Sequence, residues 1–147
     1  MSDFPTPEGL VFNRALISDP AAFAKEASAA SWLYLCGEDF ASMEGGMSFA
    51  DVEAAVDTPV QIVADPPIPF DMEMLRRVVD EIDALPRPTL VTCRTGPRSS
   101  AAVYVYAGLQ AGATPDAVLA RAEADDAPFC KSEQLKALVR DGLTQLG

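Results

Sequence analysis

The sequence alternates short runs of aliphatic and β-branched residues with longer segments of helical periodicity, and this alternation limits the fold more than any other feature. Strands and helices that alternate along a chain form a mainly parallel sheet, which the helices cover on both faces. We therefore predict a three-layer α/β fold, with residues 1–147 forming a single domain. The predicted strands are residues 10–17, 32–35, 60–64 and 89–92.

Helix boundaries are indicated by capping residues and by proline. Asp71 can cap a helix that runs to Ala84, where Pro86 and Pro88 end it. The glycine-containing segment 37–47 and the proline-rich segment that follows residue 64 are predicted to be loops. The predicted helices are residues 20–30, 49–56, 71–84, 99–110, 114–124 and 132–146.

Charge and histidine content exclude several functions. The chain has 22 acidic and 11 basic residues, a net charge of −11, which argues against binding to nucleic acid or to anionic membrane. It contains no histidine, so histidine bases and histidine metal ligands are excluded. No apolar run approaches the ~20 residues that a membrane span needs. We expect neither a metal nor a cofactor.

The three cysteines, Cys36, Cys93 and Cys130, are far apart and show no zinc-ligand spacing. An odd number of separated cysteines favours reduced thiols, and residues 1–8 do not resemble a signal peptide, so we expect a cytoplasmic protein. Cys36 and Cys93 both follow predicted strands. Cys36 is therefore interpreted either as a resolving thiol for an oxidised Cys93 or as a small buried apolar residue.

Cys93 begins a loop, residues 93–98, that connects the predicted strand 89–92 to the helix 99–110. Gly96 lets the backbone turn tightly, so that N–H groups of the turn and of the helix start converge on one point. Such a concavity binds an anion, and the same field favours the thiolate of Cys93. Because ligands bind outside the carboxyl ends of parallel strands, this edge is the predicted site.

Two arginines make this loop basic within an acidic protein. Arg98 can place a planar, doubly donating guanidinium over the oxygens of a bound anion, and Arg94 adds positive charge. A hydroxyl from the start of the next helix can hydrogen-bond the sulfur of Cys93. The predicted anion-binding residues besides Arg98 are Arg94, Thr95, Gly96, Ser99 and Ser100.

The segment Cys93-Arg94-Thr95-Gly96-Pro97-Arg98-Ser99 resembles the Cys-Arg-x-Gly-x-Arg-Ser loop of rhodanese-type sulfurtransferases. It is also similar to the loop of phosphatase-like domains of the β-lactamase hydrolase-like family, which are relatives of dual-specificity protein tyrosine phosphatases. The second resemblance extends over residues 59–146 and implies a cysteine phosphatase-like fold.

The sequence departs from both families. Tyrosine phosphatases place arginine six residues after the cysteine, where this chain has Ser99, and place histidine before the cysteine, where it has Thr92. Pro97 also removes one N–H donor from the loop. The Asp-Val-Arg and Gly-His-Ile-Pro-Gly-Ala segments that precede a rhodanese loop are not found. The order of strands and helices thus resembles that of the phosphatase-like domains, whereas the spacing between Cys93 and Arg98 is that of a rhodanese loop.

Three functions stay open. The first is a phosphatase-like hydrolase with Cys93 as nucleophile, Arg98 as charge stabiliser and a small oxyanion or phosphorylated compound as substrate. A phosphatase also needs an acid for the leaving oxygen, and Asp65 is the first candidate, with Asp71 as its rival. The second function is a sulfurtransferase that carries a persulfide on Cys93. The third is a module that binds an oxyanion without turnover.

Overall fold

A computed structural model describes residues 8–147. Four strands form one sheet in the order β1-β4-β2-β3, and every neighbouring pair is parallel. This confirms the α/β fold predicted from the alternation of elements. The strands are β1 Leu10–Phe12, β2 Ser31–Tyr34, β3 Thr58–Gln61 and β4 Thr89–Thr92.

Helices cover both faces of the sheet. On one face, α5 packs against β4 and β1 and contacts α4, α6 and α7; on the other, α3 packs against α1, β2 and β3. A 3₁₀ turn at Pro128–Lys131 lies between α6 and α7 and packs on α5. The helices are α1 Pro20–Ala27, α2 Glu38–Ala41, α3 Phe49–Ala55, α4 Met72–Ala84, α5 Pro97–Ala111, α6 Pro115–Ala124 and α7 Glu133–Gln145.

Several predicted boundaries were wrong. β1 ends at Phe12 rather than Ile17, because Asn13 leaves the strand to bond to the loop after β4. β3 spans Thr58–Gln61 rather than residues 60–64, and the segment predicted as a loop at 37–47 contains the short helix α2. Helix α5 begins at Pro97, two residues early, since proline fits the first turn of a helix, where no N–H is needed.

Two hydrophobic clusters lie on opposite faces of the sheet. Leu33 and Leu35 belong to the larger cluster, which α4, α5, α6 and α7 complete, whereas Trp32 and Tyr34 belong to the smaller one. Successive residues of a strand point to opposite faces, so the central strand β2 is buried on both.

The register of the strands determines which residues meet at the carboxyl edge of the sheet. Phe12 of β1 pairs with Val91 of β4, and Tyr34 of β2 pairs with Thr92. The residues that follow β1, β2 and β4 therefore lie side by side at one edge. Within residues 8–147, none of the helices combines the length and apolarity that a bilayer crossing requires.

Candidate active site

The sulfur of Cys93 lies at the carboxyl end of β4, where hydrogen-bond donors surround it. The backbone N–H of Gly96 donates to Sγ at 3.2 Å and that of Ser99 at 3.4 Å. The Ser99 hydroxyl lies 3.4 Å from the same atom. Only 4% of Cys93 is exposed. Convergent N–H dipoles at a helix N-terminus favour the thiolate form of a cysteine.

Gly96 gives the loop its geometry. It has φ of +114° and serves as the N-cap of α5. A Cβ atom at this position would collide with the backbone carbonyl oxygen of Asn13. The loop therefore needs glycine both for its positive φ and for the close approach of another backbone segment.

Asn13 is a buried polar residue that sequence reasoning missed. Its Oδ1 accepts from the N–H of Cys93 at 3.2 Å, and its Nδ2 donates to the carbonyls of Cys93 and Arg94 at 3.0 and 3.2 Å. The hydroxyl of Ser99 also donates to Oδ1, at 3.2 Å. Asn13 thus fixes both the loop and the serine that faces the sulfur. An asparagine directly after an apolar strand was the available signal.

The two serines at the start of α5 have different surroundings. The hydroxyl of Ser99 lies against Sγ of Cys93, as given above. That of Ser100 donates to the carbonyl of Pro97 at 3.1 Å and accepts from the N–H of Phe129 at 3.2 Å. Ser100 therefore links α5 to the 3₁₀ turn, and Ser99 alone of the pair contacts the sulfur.

Arg94 and Asp65 form an ion pair at the rim. The Nε of Arg94 donates to Oδ2 of Asp65 at 2.9 Å, and its Nη2 donates to the carbonyl of Pro66 at 3.0 Å. The N–H of Gly37 donates to Oδ1 of Asp65 at 3.0 Å. Asp65 is 3% exposed, so these bonds satisfy a carboxylate that lies almost wholly out of water.

The guanidinium of Arg98 is held against the proline-rich loop. Its Nη1 donates to the carbonyls of Ala64 and Ile68, and its Cζ lies 5.6 Å from the ring centroid of Phe70. Partial burial lowers the pKa of Arg98, while the neighbouring Cys93 and Asp65 act in the opposite direction. The proline-rich loop therefore fixes the guanidinium of Arg98 in place.

A cavity of about 330 Å³ opens above the sulfur. Five predicted site residues line it together: Cys93, Arg94, Thr95, Arg98 and Asp65. The remaining lining is proline, aromatic, aliphatic and uncharged polar. A small anion in this cavity would therefore meet two guanidinium groups, one of them paired with a carboxylate, among uncharged polar and apolar groups. These remaining lining residues are Pro66, Phe70, Pro97, Ser132, Gln134 and Leu135.

Other predicted candidates lie outside this cavity. Asp71 is the N-cap of α4 and accepts from the N–H of Met74 at 3.0 Å, as its capping interpretation required. Cys36 belongs to the hydrophobic cluster on the other face of the sheet from Cys93. Burial raises the pKa of Cys36, and the pKa of Cys130 is raised to about 11 for the same main reason. Across residues 8–147, no group of three or more metal-ligating side chains is found.

Solved structures share this fold at low sequence identity. Tk-PTP in its active form is 14% identical with a TM-score of 0.62, over 91% of this chain and 90% of that chain. PTPMT1 is 13% identical with a TM-score of 0.63, over 92% and 91%. The catalytic core of Siw14 is 16% identical with a TM-score of 0.59, over 99% and 88%.

These similarities define the class of fold as protein tyrosine phosphatase-like: a four-stranded parallel sheet with helices on both faces. Sequence comparison with protein-family models finds no match, and no curated protein matches either. The fold resembles that of phosphatases, and the chemistry of this chain must be argued from its own site residues.

Proposed function

We propose that this protein is a cysteine-dependent, phosphatase-like hydrolase with Cys93 as its nucleophile. The observation that carries the proposal is the pair of backbone donors on Sγ, the N–H groups of Gly96 and Ser99, with the hydroxyl of Ser99 3.4 Å from the same atom. They stabilise a thiolate in a chain that has no histidine to activate it. The phosphatase-like fold supports a phosphorylated compound as substrate.

In the proposed reaction, the thiolate attacks phosphorus and the bond from phosphorus to the leaving oxygen breaks. The phosphocysteine then reacts with water, which releases phosphate, and the thiolate re-forms. Arg98, fixed beside the cavity, stabilises the negative charge on the transferred group together with Arg94. As the sulfur leaves phosphorus, the hydroxyl of Ser99 turns its one hydrogen from Oδ1 of Asn13 to Sγ, 3.4 Å away, which assists the second step.

Phosphate release from an aryl phosphate tests the proposal. We expect turnover by the wild type and none by Cys93→Ser, with Cys130→Ala as the matched control because Cys130 lies outside the cavity. Activity that survives in Cys93→Ser would show that Cys93 is not the nucleophile. Mass spectrometry of a quenched reaction should show one phosphoryl group on Cys93.

A sulfurtransferase is the second candidate, and the length of the loop favours it. Arg98 stands five residues after Cys93, as in rhodanese-type loops, and Ser99 occupies the next position. In that reaction, Cys93 takes the outer sulfur of a donor such as thiosulfate, releases sulfite and passes the sulfur to cyanide. No general acid is required for this transfer.

Parallel assays separate the candidates. Thiosulfate-dependent formation of thiocyanate, with no release of phosphate from aryl phosphates, would replace the hydrolase with the sulfurtransferase. Inactivity in both assays, combined with tight binding of inorganic phosphate that Arg98→Ala abolishes, would indicate a non-catalytic oxyanion-binding module.

A further inference from the structure

Protonation of the leaving group is the step for which the cavity offers fewest residues. Among the described residues that line it, Asp65 is the one carboxylic acid. The whole sequence contains no histidine. If a carboxylic acid that lines this cavity protonates a departing alkoxide or phenoxide, that acid has to be Asp65.

The contacts of Asp65 are those of a structural anchor. Each of its two oxygens accepts one hydrogen bond, Oδ1 from the N–H of Gly37 and Oδ2 from Nε of Arg94. Arg94, 2.9 Å from Oδ2, is the ion-pair partner of this carboxylate, so both of its oxygens are already engaged within the protein. Arg94 also donates to the carbonyl of Pro66, so its side chain holds both the carboxylate and the backbone of the next residue.

This arrangement gives Asp65 a clear positioning role. It joins the turn after β2, through Gly37, to the loop after β4, through Arg94. A neutral, proton-donating Asp65 would give up the charge-assisted bond between this almost buried carboxyl group and Arg94, whose side chain is 25% exposed. The same carboxyl group cannot hold Arg94 as an anion and also supply a proton to the substrate.

We infer that the site acts on phosphorylated compounds whose leaving group departs as a stable anion: phosphates of acidic phenols or enols, or acyl phosphates. This inference rests on the proposed function. Sγ of Cys93 bonds to phosphorus, and the electron pair of the breaking phosphorus–oxygen bond leaves with that oxygen. Water then takes the phosphoryl group from sulfur, and its proton passes to solvent.

A series of aryl phosphates with increasingly basic phenols tests the inference. A general acid contributes about 10²–10⁴-fold, mostly for basic leaving groups. Without one, we expect wild-type kcat/KM to fall at least about a hundredfold from nitrophenyl phosphate to phenyl phosphate. Asp65→Asn keeps the shape but cannot donate as an acid. This variant should lower kcat/KM for all the aryl phosphates by one common factor and leave the dependence of kcat/KM on the leaving group unchanged.

The matched control is Asp71→Asn, which changes an exposed helix cap outside the cavity. It should change neither the rates nor their dependence on the leaving group. A shallow wild-type dependence that becomes steep only in Asp65→Asn would make Asp65 the acid and overturn this inference alone. Failure of even nitrophenyl phosphate to react in a Cys93-dependent manner would overturn the proposed function, and the inference with it.

Discussion

Cys93 and Cys36 lie at the same carboxyl edge of the sheet: Cys93 directly follows β4, and Cys36 lies two residues after the neighbouring parallel strand β2. Both are buried, and a side-chain amide holds the carbonyl of each: Asn13 for Cys93 at 3.0 Å and Gln61 for Cys36 at 2.9 Å. Their sulfur environments differ. Cys93 meets N–H donors, whereas Cys36 packs among aromatic residues.

The difference shows that thiol chemistry at this edge depends on the segment that follows each cysteine. After Cys93, Gly96 turns the chain and α5 directs its first N–H groups at the sulfur. After Cys36, Gly37 directs its N–H to the carboxylate of Asp65 instead. That carboxylate and burial both raise the pKa of Cys36. Two cysteines at the same edge of the sheet thus differ in their hydrogen-bond donors.

The largest expected effect separates the two thiols by function. Cys93→Ser should reduce hydrolysis at least about a thousandfold, since loss of a catalytic nucleophile removes the covalent route. Cys36→Ala should retain activity within about a few-fold once its folded fraction is matched. Initial rates of phosphate release from nitrophenyl phosphate measure both. Equal losses in the two variants would contradict the contrast drawn between them.

The two amide side chains that hold these cysteines provide the second test. Asn13→Ala removes several buried hydrogen bonds and should cost about 2–4 kcal/mol in the free energy of unfolding. It should also lower kcat at least about tenfold, because the loop and Ser99 lose their fixed geometry. Urea unfolding and steady-state kinetics measure the two effects.

Gln61→Ala is the matched control for Asn13, since it removes the single amide bond to Cys36. It should cost about 1 kcal/mol or less and leave kcat unchanged. If Gln61→Ala lowered kcat as much as Asn13→Ala, the amide at Asn13 would have no special relation to Cys93.

The order of elements and the position of the Cys93 loop could be predicted from the sequence because both depend on local signals. Alternating patterns predicted the parallel sheet, and the Gly96 turn between a strand and a helix predicted the N–H groups on sulfur. The contacts of Asn13 could not be predicted, because they join residues 80 positions apart through the pairing of β1 with β4. The ion pair of Asp65 with Arg94 spans 29 positions and depends on the same sheet edge.

Glycine substitution tests the turn that distinguishes the two strand ends. Gly96→Ala introduces a Cβ at φ of +114° that meets the carbonyl of Asn13, so we expect a loss of about 2–4 kcal/mol in stability and little remaining activity. Gly112→Ala is the matched control: its φ is +63°, with no atom within 4 Å of the added Cβ. It should cost about 1 kcal/mol and leave kcat unchanged. Equal costs at both positions would remove the argument for a close approach at Gly96.

The smallest expected effect concerns the alkaline side of stability. Burial raises the pKa of Cys36 above its ordinary value of 9.0, so the folded state holds this proton more tightly than the unfolded state does. The stabilisation that Cys36 gives the folded state is complete below pH 9. It is lost as pH rises through the range between the pKa values of Cys36 in the unfolded and folded states. The raised pKa of Cys130, about 11, acts with the same sign.

Replacement of Cys36 by alanine removes this titration. Between pH 9 and pH 10, the wild type should lose about 1 kcal/mol more unfolding free energy than Cys36→Ala does. Urea unfolding at closely spaced pH values measures the slopes, and comparison of slopes cancels the constant cost of the smaller side chain. Parallel slopes would mean that Cys36 titrates alike in both states. The conclusion that Cys36 lies in a buried apolar environment, unlike that of Cys93, would then be wrong.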